Sequence, residues 1–123
     1  MNTEEFEMEG NTSNLKMLTS LEESILLTVG DSTIYGWSIL KRINEVYKDV
    51  RTFSYGSLYP TLHKLEKMGL LTSEWGDNQK DQESKNGMRK RYYRITEDGI
   101  RVLENMENYR LALKLGSVAF GHA

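Results

Sequence analysis

The sequence predicts a mainly α-helical protein with one small β-hairpin. Three observations favour this fold class. Apolar residues recur at three- and four-residue steps in four segments, two short segments after residue 70 are rich in strand-forming residues, and a polar stretch bounded by glycines separates those two segments. The 123 residues are enough to enclose one hydrophobic core. The expected order is three helices, a hairpin and a last helix.

The first helix is expected to begin at Thr19. The segment Thr19-Ser20-Leu21-Glu22 is a capping box, in which two side chains accept hydrogen bonds from each other's backbone N–H groups, and Ser20 with Glu23 is an overlapping alternative. Apolar residues then follow at helical spacing, and Gly30 provides an end. Residues 1–18, which are acidic and show no apolar periodicity, are expected to form a disordered arm.

The second and third helices are separated by a short polar link. The second is expected from about Tyr35 to Tyr47, where apolar and polar residues occupy opposite sides. The third is expected over 54–69 and has two candidate N-caps, Ser54 and Ser57. Ser57 would put Pro60 in the first turn, where its missing N–H costs nothing, whereas Ser54 would leave the Gly56 carbonyl without its helical donor.

The hairpin and the last helix follow the third helix directly. Residues 71–75 and 89–95 are predicted strands, and the polar stretch 76–87 is the tip between them. Thr96 is the expected cap of a helix over 97–115, because acidic residues occupy the first turn. Residues 116–123 are expected to be a disordered tail.

Three helices followed by a hairpin form a winged helix-turn-helix, here expected over 19–96, whose third helix enters the major groove of DNA. The outer face of that helix carries polar, aromatic and basic residues, and the wing carries cations. The residues expected to contact DNA are Tyr55, Ser57, Tyr59, Thr61, His63, Lys64 and Lys67 on the helix, and Arg89, Lys90, Arg91 and Arg94 on the wing. Strand alternation places Arg89 and Arg91 on the same face of the strand as Tyr93. Both are nevertheless expected to turn outward, because they lie at the exposed tip.

The uneven distribution of charge supports a polyanionic partner. The net charge is −2, but the first 14 residues contain four glutamates and no lysine or arginine. The stretch 80–94 contains six basic residues against two acidic ones. A basic cluster of this kind is typical of a surface that contacts nucleic acid. The alternative interpretation is a solvated face, or an edge strand whose charges protect it from aggregation.

Several of these segments resemble the PadR family of bacterial transcriptional regulators. The similar segments are Tyr35-Gly36, residues 55–62 (YGSLYPTL), residues 65–70 (LEKMGL), Glu74-Trp75 and residues 89–99 (RKRYYRITEDG). The resemblance extends from Ser20 to about Leu113 and implies a dimer that binds palindromic operators through the third helix and the wing. The chain resembles the short subgroup of the family, which has a single C-terminal helix. Residues 20–23 and 74–77 are also similar to those of cyanobacterial members. The acidic arm and the twelve-residue wing tip depart from the family pattern.

A homodimer joined by the last helix is the expected assembly. Four apolar residues of that helix step by four, three and four residues, as in a coiled-coil seam, and the first helix is expected to assist. The expected interface residues are Leu21, Ile25, Val102, Met106, Tyr109 and Leu113. Ile100 and Leu103 are better placed to anchor the helix on its own domain.

The expected function is sequence-specific binding of double-stranded DNA as a repressor in the cytoplasm. The alternative is a small-molecule-sensing dimer with a pocket between the C-terminal helices, lined by Met106, Tyr109 and Trp37, although the same residues would also suit a dimer core. A winged helix that binds only protein would not explain the clustered cations.

Other classes of protein find no support in the sequence. The absence of cysteine excludes disulfides and thiolate chemistry, and two histidines make a histidine-built metal site improbable. Neither a phosphate-binding loop nor an HExxH motif is present, so we expect no enzyme, no cofactor and no metal. Since no apolar run approaches about 20 residues, no membrane span is expected.

Overall fold

The order of elements is that of a winged helix. A computed structural model of the chain describes residues 17–76 and 90–116. The elements are α1 (Ser20–Val29), β1 (Ile34–Tyr35), α2 (Gly36–Val46), α3 (Tyr55–Lys67), β2 (Leu71–Trp75), β3 (Arg91–Ile95) and α4 (Glu97–Leu115). Residues 1–16 of the expected arm, the wing tip with Arg89, and the expected tail beyond Gly116 lie outside the described residues.

Local capping signals fix the ends of α1. The Thr19 N–H donates to Glu22 Oε1 at 2.9 Å, and the Glu22 N–H donates to Thr19 Oγ1 at 3.1 Å, so the predicted capping box is confirmed. Gly30 ends the helix with a φ of 56°, a backbone conformation that L side chains rarely adopt.

The start of α4 is also capped as predicted. The Gly99 N–H donates a hydrogen bond to Thr96 Oγ1 at 3.0 Å, which confirms Thr96 as the cap.

The third helix begins at the earlier of its two candidate caps. The Ser54 hydroxyl accepts a hydrogen bond from the Ser57 N–H at 3.2 Å, and Pro60 lies inside the helix. Because proline has no N–H, the Gly56 carbonyl lacks its usual hydrogen-bond donor within the helix. This is tolerable because Gly56 is exposed to water. Asn44 of α2 fixes the preceding loop, since its side-chain amide donates to the Phe53 carbonyl at 2.9 Å and accepts from the Phe53 N–H at 2.8 Å.

The sheet has three antiparallel strands, not the two expected from the sequence. The order is β1-β3-β2, so β3 lies in the middle. In the unpredicted pairing, Ile34 lies opposite Tyr93 and Tyr35 opposite Tyr92. Tyr93 faces the hydrophobic core from this central strand and is fully buried, whereas the next residue, Arg94, faces the other side and is exposed. The strand β1 thus closes the base of the wing against the start of α2.

The hydrophobic core lies between α1, α2, α3 and the base of the sheet. Its largest fully buried side chains include Ile25, Ile39, Leu58, Leu62, Leu65 and Tyr93. Leu18, which we assigned to the arm, is also buried, so the packed part of the chain starts earlier than expected. No helix among the described residues is both long and apolar enough to cross a membrane.

Two residues expected at the dimer interface belong to the core of the single chain. Ile25 is 0% exposed and Val102 is 2% exposed. Neither side chain is available to a second copy, because each already packs within its own domain. The opposite error concerns Ile100, which was expected to anchor α4 and is 45% exposed. The helical steps identified an apolar residue set on α4 but not the direction in which each member faces.

Candidate nucleic-acid interface

The outer face of α3 is formed by the residues opposite its buried leucine stripe. Leu58, Leu62 and Leu65 are 0% exposed, which turns the other side of the helix towards solvent. Most of the predicted contact residues lie on that side: Ser57, Tyr59, His63, Lys64 and Lys67 are exposed, and Tyr55 and Thr61 are half-buried. The helix therefore brings together all seven of its predicted residues on or beside one accessible face.

A continuous row of rings runs along this face. Successive ring centroids are 5.5 Å apart from Trp37 to Tyr55, 5.8 Å from Tyr55 to Tyr59, and 6.4 Å from Tyr59 to His63. Burial, and then the neighbouring Tyr59 and Tyr35, raises the pKa of the Tyr55 hydroxyl, which therefore stays protonated at neutral pH. The ring of Trp37 comes from α2 and was not predicted to belong to this face.

Gly36 allows the close approach of Tyr55 to the start of α2. A methyl group at this glycine would lie 2.9 Å from the Tyr55 hydroxyl and 3.2 Å from the ring of Tyr93. The Tyr35-Gly36 pair and the Trp37 that follows it are the sequence signal that could have revealed the row. The glycine removes a side chain at the point where two aromatic residues need the space.

The Lys64 ammonium is held by an ion pair within the chain. Its Nζ lies 2.7 Å from Glu22 Oε2, and the Glu22 side chain is only 5% exposed. Burial alone would raise the pKa of Glu22, but hydrogen bonds from Lys64 and the Thr19 backbone outweigh it and hold that pKa below its ordinary value. Sequence reasoning identified Glu22 as a capping residue only and missed this second role.

The wing divides its described cations between two directions. Arg94 is exposed on the face opposite Tyr93, as strand alternation predicts, and Lys90 Nζ lies 5.2 Å from the centre of the Tyr35 ring. Arg91 does not turn outward, so that prediction was wrong. Its guanidinium lies 4.7 Å above the Trp75 ring and 3.7 Å from Glu66 Oε2. The Trp75 ring and the Glu66 carboxylate hold the guanidinium against the base of the wing.

Glu66 connects the end of α3 to both strands of the wing. Its carboxylate accepts a hydrogen bond from the Ser73 hydroxyl on β2 and lies within ion-pair distance of Arg91 on β3. The carboxylate is 19% exposed, so water screens these contacts only partly. Glu66 was not a predicted site residue, yet it sets the position of the wing relative to α3. Within the described ranges, three or more potential metal-ligating residues do not cluster anywhere.

Comparison with known proteins identifies the family. The model of the PadR-like family of transcriptional regulators matches residues 25–105. The chain belongs to this family. The resemblance inferred from the sequence is thereby confirmed at the level of the family, while the similarity to cyanobacterial members stays a prediction. The DNA-binding winged helix shared by the family is the fold described above.

Solved structures of transcriptional regulators, among them PadR proteins, have the same fold. A PadR family regulator from Eggerthella lenta is 27% identical, with a TM-score of 0.61, 82% of this chain covered and 80% of that chain. A transcriptional regulator from Clostridium thermocellum is 28% identical, with a TM-score of 0.58 and coverages of 76% and 86%. PadR of Bacillus subtilis, solved in complex with operator DNA, is 20% identical, with a TM-score of 0.60 and coverages of 73% and 48%. A search among curated proteins found no significant match.

Proposed function

We propose that this PadR-like regulator is a dimeric repressor that binds a palindromic operator in double-stranded DNA. In this proposal α3 enters the major groove, and the wing contacts the backbone or the minor groove. The observation that carries the proposal is the exposed face of α3 beside a wing held in position by Glu66. PadR of Bacillus subtilis, which has the same fold, binds operator DNA, and this supports the proposal. A cytoplasmic location follows from a chromosomal target.

The two elements suit different kinds of contact. Ser57, Thr61 and His63 lie on a rigid helix, and base discrimination needs hydrogen-bonding groups in fixed positions. Lys90 and Arg94 lie on the wing, where cations suit phosphate contact, and we propose the same role for Arg89, which is outside the described residues. The Glu22 carboxylate, 2.7 Å from Lys64 Nζ, neutralises part of the charge that Lys64 would offer to DNA. We therefore assign it a smaller share of the binding free energy than its charge suggests.

Exposed apolar residues of α4 support a homodimer. Tyr109 and Leu113, one helical turn apart on the same side of α4, are 51% and 81% exposed, and Leu111 on the other side of the helix is 53% exposed. An apolar patch on a helix is costly in water unless another surface covers it. We propose that α4 of a second copy covers it, assisted by α1 through Leu21. Twofold symmetry would then set two α3 helices about 34 Å apart, which fits half-sites separated by one helical turn.

The DNA-binding proposal is tested in two steps. Bound sequences are first selected from a random duplex pool, and the affinities for the selected duplex and a scrambled duplex are then measured by fluorescence anisotropy. Replacing Lys90 and Arg94 by Ala is expected to weaken binding to both duplexes equally. The log–log salt slope should become shallower by about 0.9 for each phosphate that the variant no longer neutralises. Replacing Ser57 or His63 by Ala should instead reduce the difference in binding free energy between the selected and the scrambled duplex. The expected reduction is about 1–3 kcal/mol for each base that is no longer recognised.

Lys114→Ala is the matched control, because this exposed cation lies in the last turn of α4. Its affinity and salt slope should equal those of the parent. Loss of discrimination in the wing variants, with discrimination intact in the helix variants, would show that the two roles are reversed. If the parent prefers no sequence in the pool, the proposed function is wrong.

A further inference from the structure

The segment that precedes α1 differs in charge from the rest of the chain. Residues 1–14, here called the acidic segment, contain Glu4, Glu5, Glu7 and Glu9 and neither lysine nor arginine. Because the whole chain has a net charge of −2, the residues after this segment carry a net charge of +2. Opposite charges on one chain attract each other, and the covalent link keeps their effective concentration high.

The structure fixes the point at which the acidic segment is tethered to the folded domain. Leu18 packs in the hydrophobic core, and the Thr19 N–H donates to Glu22 Oε1 at 2.9 Å. The other oxygen of this carboxylate, Oε2, lies 2.7 Å from Lys64 Nζ on α3. A single carboxylate therefore bridges the tether and a cation of α3, so the acidic segment is attached beside this helix.

The outer face of α3 offers both cations and uncovered aromatic rings. Lys64 and Lys67 are exposed. In the row of rings along this face, Trp37 is 47% exposed and Tyr59 is 39% exposed. The contact of Glu22 with Lys64 shows that an acidic side chain binds a cation of this helix within the chain. The face therefore favours a partner that combines acidic and apolar groups.

The acidic segment has this composition. Two apolar residues, Phe6 and Met8, alternate with its last three glutamates. An aromatic side chain and a thioether both make favourable contacts with aromatic rings, and carboxylates pair with lysine ammonium groups. The alternation of the two types matches a surface on which rings and lysines are neighbours.

The chain is long enough for this contact. Glu9 lies nine residues before the buried Leu18, and an extended chain of nine residues spans about 30 Å. The helix α3 has 13 residues and is about 20 Å long. The glutamates of the acidic segment can therefore reach any part of the outer face of α3 from the tether.

We propose that the acidic segment binds along the outer face of α3 of the same chain when DNA is absent, and that DNA must displace it. The tether beside Lys64 favours the segment's own α3 over that of a second copy. The displacement by DNA rests on the proposed function. The acidic segment then lowers the affinity for DNA, and this effect decreases as salt screens its glutamates.

The contact is tested without DNA. The chain contains no cysteine, so Thr3→Cys provides a single site for a nitroxide spin label. In 15N-labelled protein, this label should broaden the amide signals of His63 and Lys67 more than that of Ser32, which follows the far end of α1. Equal broadening at α3 and at Ser32 would overturn the proposal.

A matched variant tests the part played by charge. Replacing Glu4, Glu5, Glu7 and Glu9 by Gln keeps the length of the spin-labelled segment and removes its charge. The selective broadening on α3 should then be lost. Raising the salt to about 1 M should have the same effect on the parent, since the Debye length falls to about 3 Å. Broadening that persists in the glutamine variant would show that the acidic groups do not bind α3, and the proposal would be wrong.

A mixed sample shows which copy is bound. Spin-labelled protein without 15N is combined with 15N-labelled protein that carries no spin label. The α3 signals should stay sharp, because each acidic segment binds its own chain. Broadening in this sample would assign the segment to α3 of a second copy and overturn the intrachain contact.

Competition with DNA is measured separately, by anisotropy with the selected duplex. Deletion of residues 2–14 and the glutamine variant should each raise the affinity several-fold at low salt, and the difference from the parent should shrink as the salt concentration rises. Glu104→Gln, which removes one exposed acidic group of α4, is the control and should bind as the parent does. Equal affinities of the parent and both variants would overturn the competition while the contact stands. If the protein binds no DNA, the proposed function fails, whereas the spin-label experiment still decides the contact.

Discussion

Two adjacent glutamates of α1 face different partners. Glu22 is bound by Lys64 of α3, and Glu23 forms an ion pair with Arg110 of α4. In both pairs a largely buried carboxylate meets a half-exposed cation: Glu22 is 5% and Lys64 59% exposed, and Glu23 is 12% and Arg110 48% exposed. Removing either cation would leave a carboxylate with little access to water, so both pairs are damaging to break.

The lowered pKa of Glu22 predicts that the stability of the protein decreases as the pH falls. A carboxyl group whose pKa is lower in the folded chain binds protons more weakly than in the unfolded chain, so its contribution is present above the ordinary value of 4.5 and is lost as the pH falls through the folded value. Glu22→Gln should lower the melting temperature at neutral pH and flatten its decline in acid. Melting curves between about pH 3 and 7 measure this, with exposed Glu104→Gln as control. Parallel profiles for Glu22→Gln and the parent would contradict it.

Gly99 is required by the packing of α4 against the base of the wing. A methyl group there would collide with the Leu70 carbonyl and would lie 2.5 Å from Ile95 Cγ1. The Leu70 carbonyl cannot easily move, because it accepts a hydrogen bond from the Thr96 N–H at 3.1 Å. Gly99→Ala should therefore destabilise the protein by about 1–3 kcal/mol, as overpacking does.

Urea denaturation measures the effect of Gly99→Ala. The control is Gly56→Ala, the same change in a helix where an added Cβ has room. That control should raise the midpoint slightly, because glycine inside a helix costs about 1 kcal/mol relative to alanine. A midpoint for Gly99→Ala equal to or above that of the parent would show that α4 can shift to accept the methyl group.

At the scale of elements, Glu66 links the end of α3 to both strands of the wing. Glu66→Ala should weaken DNA binding several-fold, because it releases Ser73 and Arg91 from α3. The sign is informative. Removing a negative charge near a polyanion would strengthen binding if charge alone mattered. Anisotropy with the selected duplex measures the change, and exposed Glu74→Ala on β2 is the matched control, for which affinity should stay equal or increase.

Elements with local signals could be predicted from the sequence, and those that depend on distant partners could not. The capping residues Thr19 and Thr96 and the strand 71–75 follow from neighbouring residues, and the structure agrees. The two-residue strand β1 has no pattern of its own, and its partner lies about sixty residues further along the chain. The pattern also left Ser54 and Ser57 undecided as caps of α3, since both are serine, which suits the position.

The same reasoning explains the errors in the candidate site. Alternation placed Arg91 on the same side of its strand as Tyr93, and the error was to expect its side chain to turn outward at the tip. Trp75 and Glu66, which are distant in sequence, hold it inward. Apolar spacing on a helix likewise marks a stripe without saying whether it faces its own chain or another. Val102 was therefore misassigned to the dimer interface.

At the scale of the whole molecule, the exposed apolar residues of α4 predict the assembly. Replacing Tyr109 and Leu113 together by Glu should convert a dimer into a monomer of 14.2 kDa, because two buried carboxylates per chain would face each other across the interface. Sedimentation velocity measures the change. Val50→Glu, at an exposed apolar residue after α2, is the control and should sediment as the parent does. If the double variant and the parent sediment alike, α4 is not the interface.

The central position of β3 has a consequence for how the chain folds as it is synthesised. β1 and β2 are made first, yet neither pairs with the other, and both wait for the strand that ends at Ile95. Contacts between residues so far apart in sequence close late and slow the folding reaction. Until Ile95 has left the ribosome, the three-stranded sheet cannot form and Tyr93 cannot fill the core.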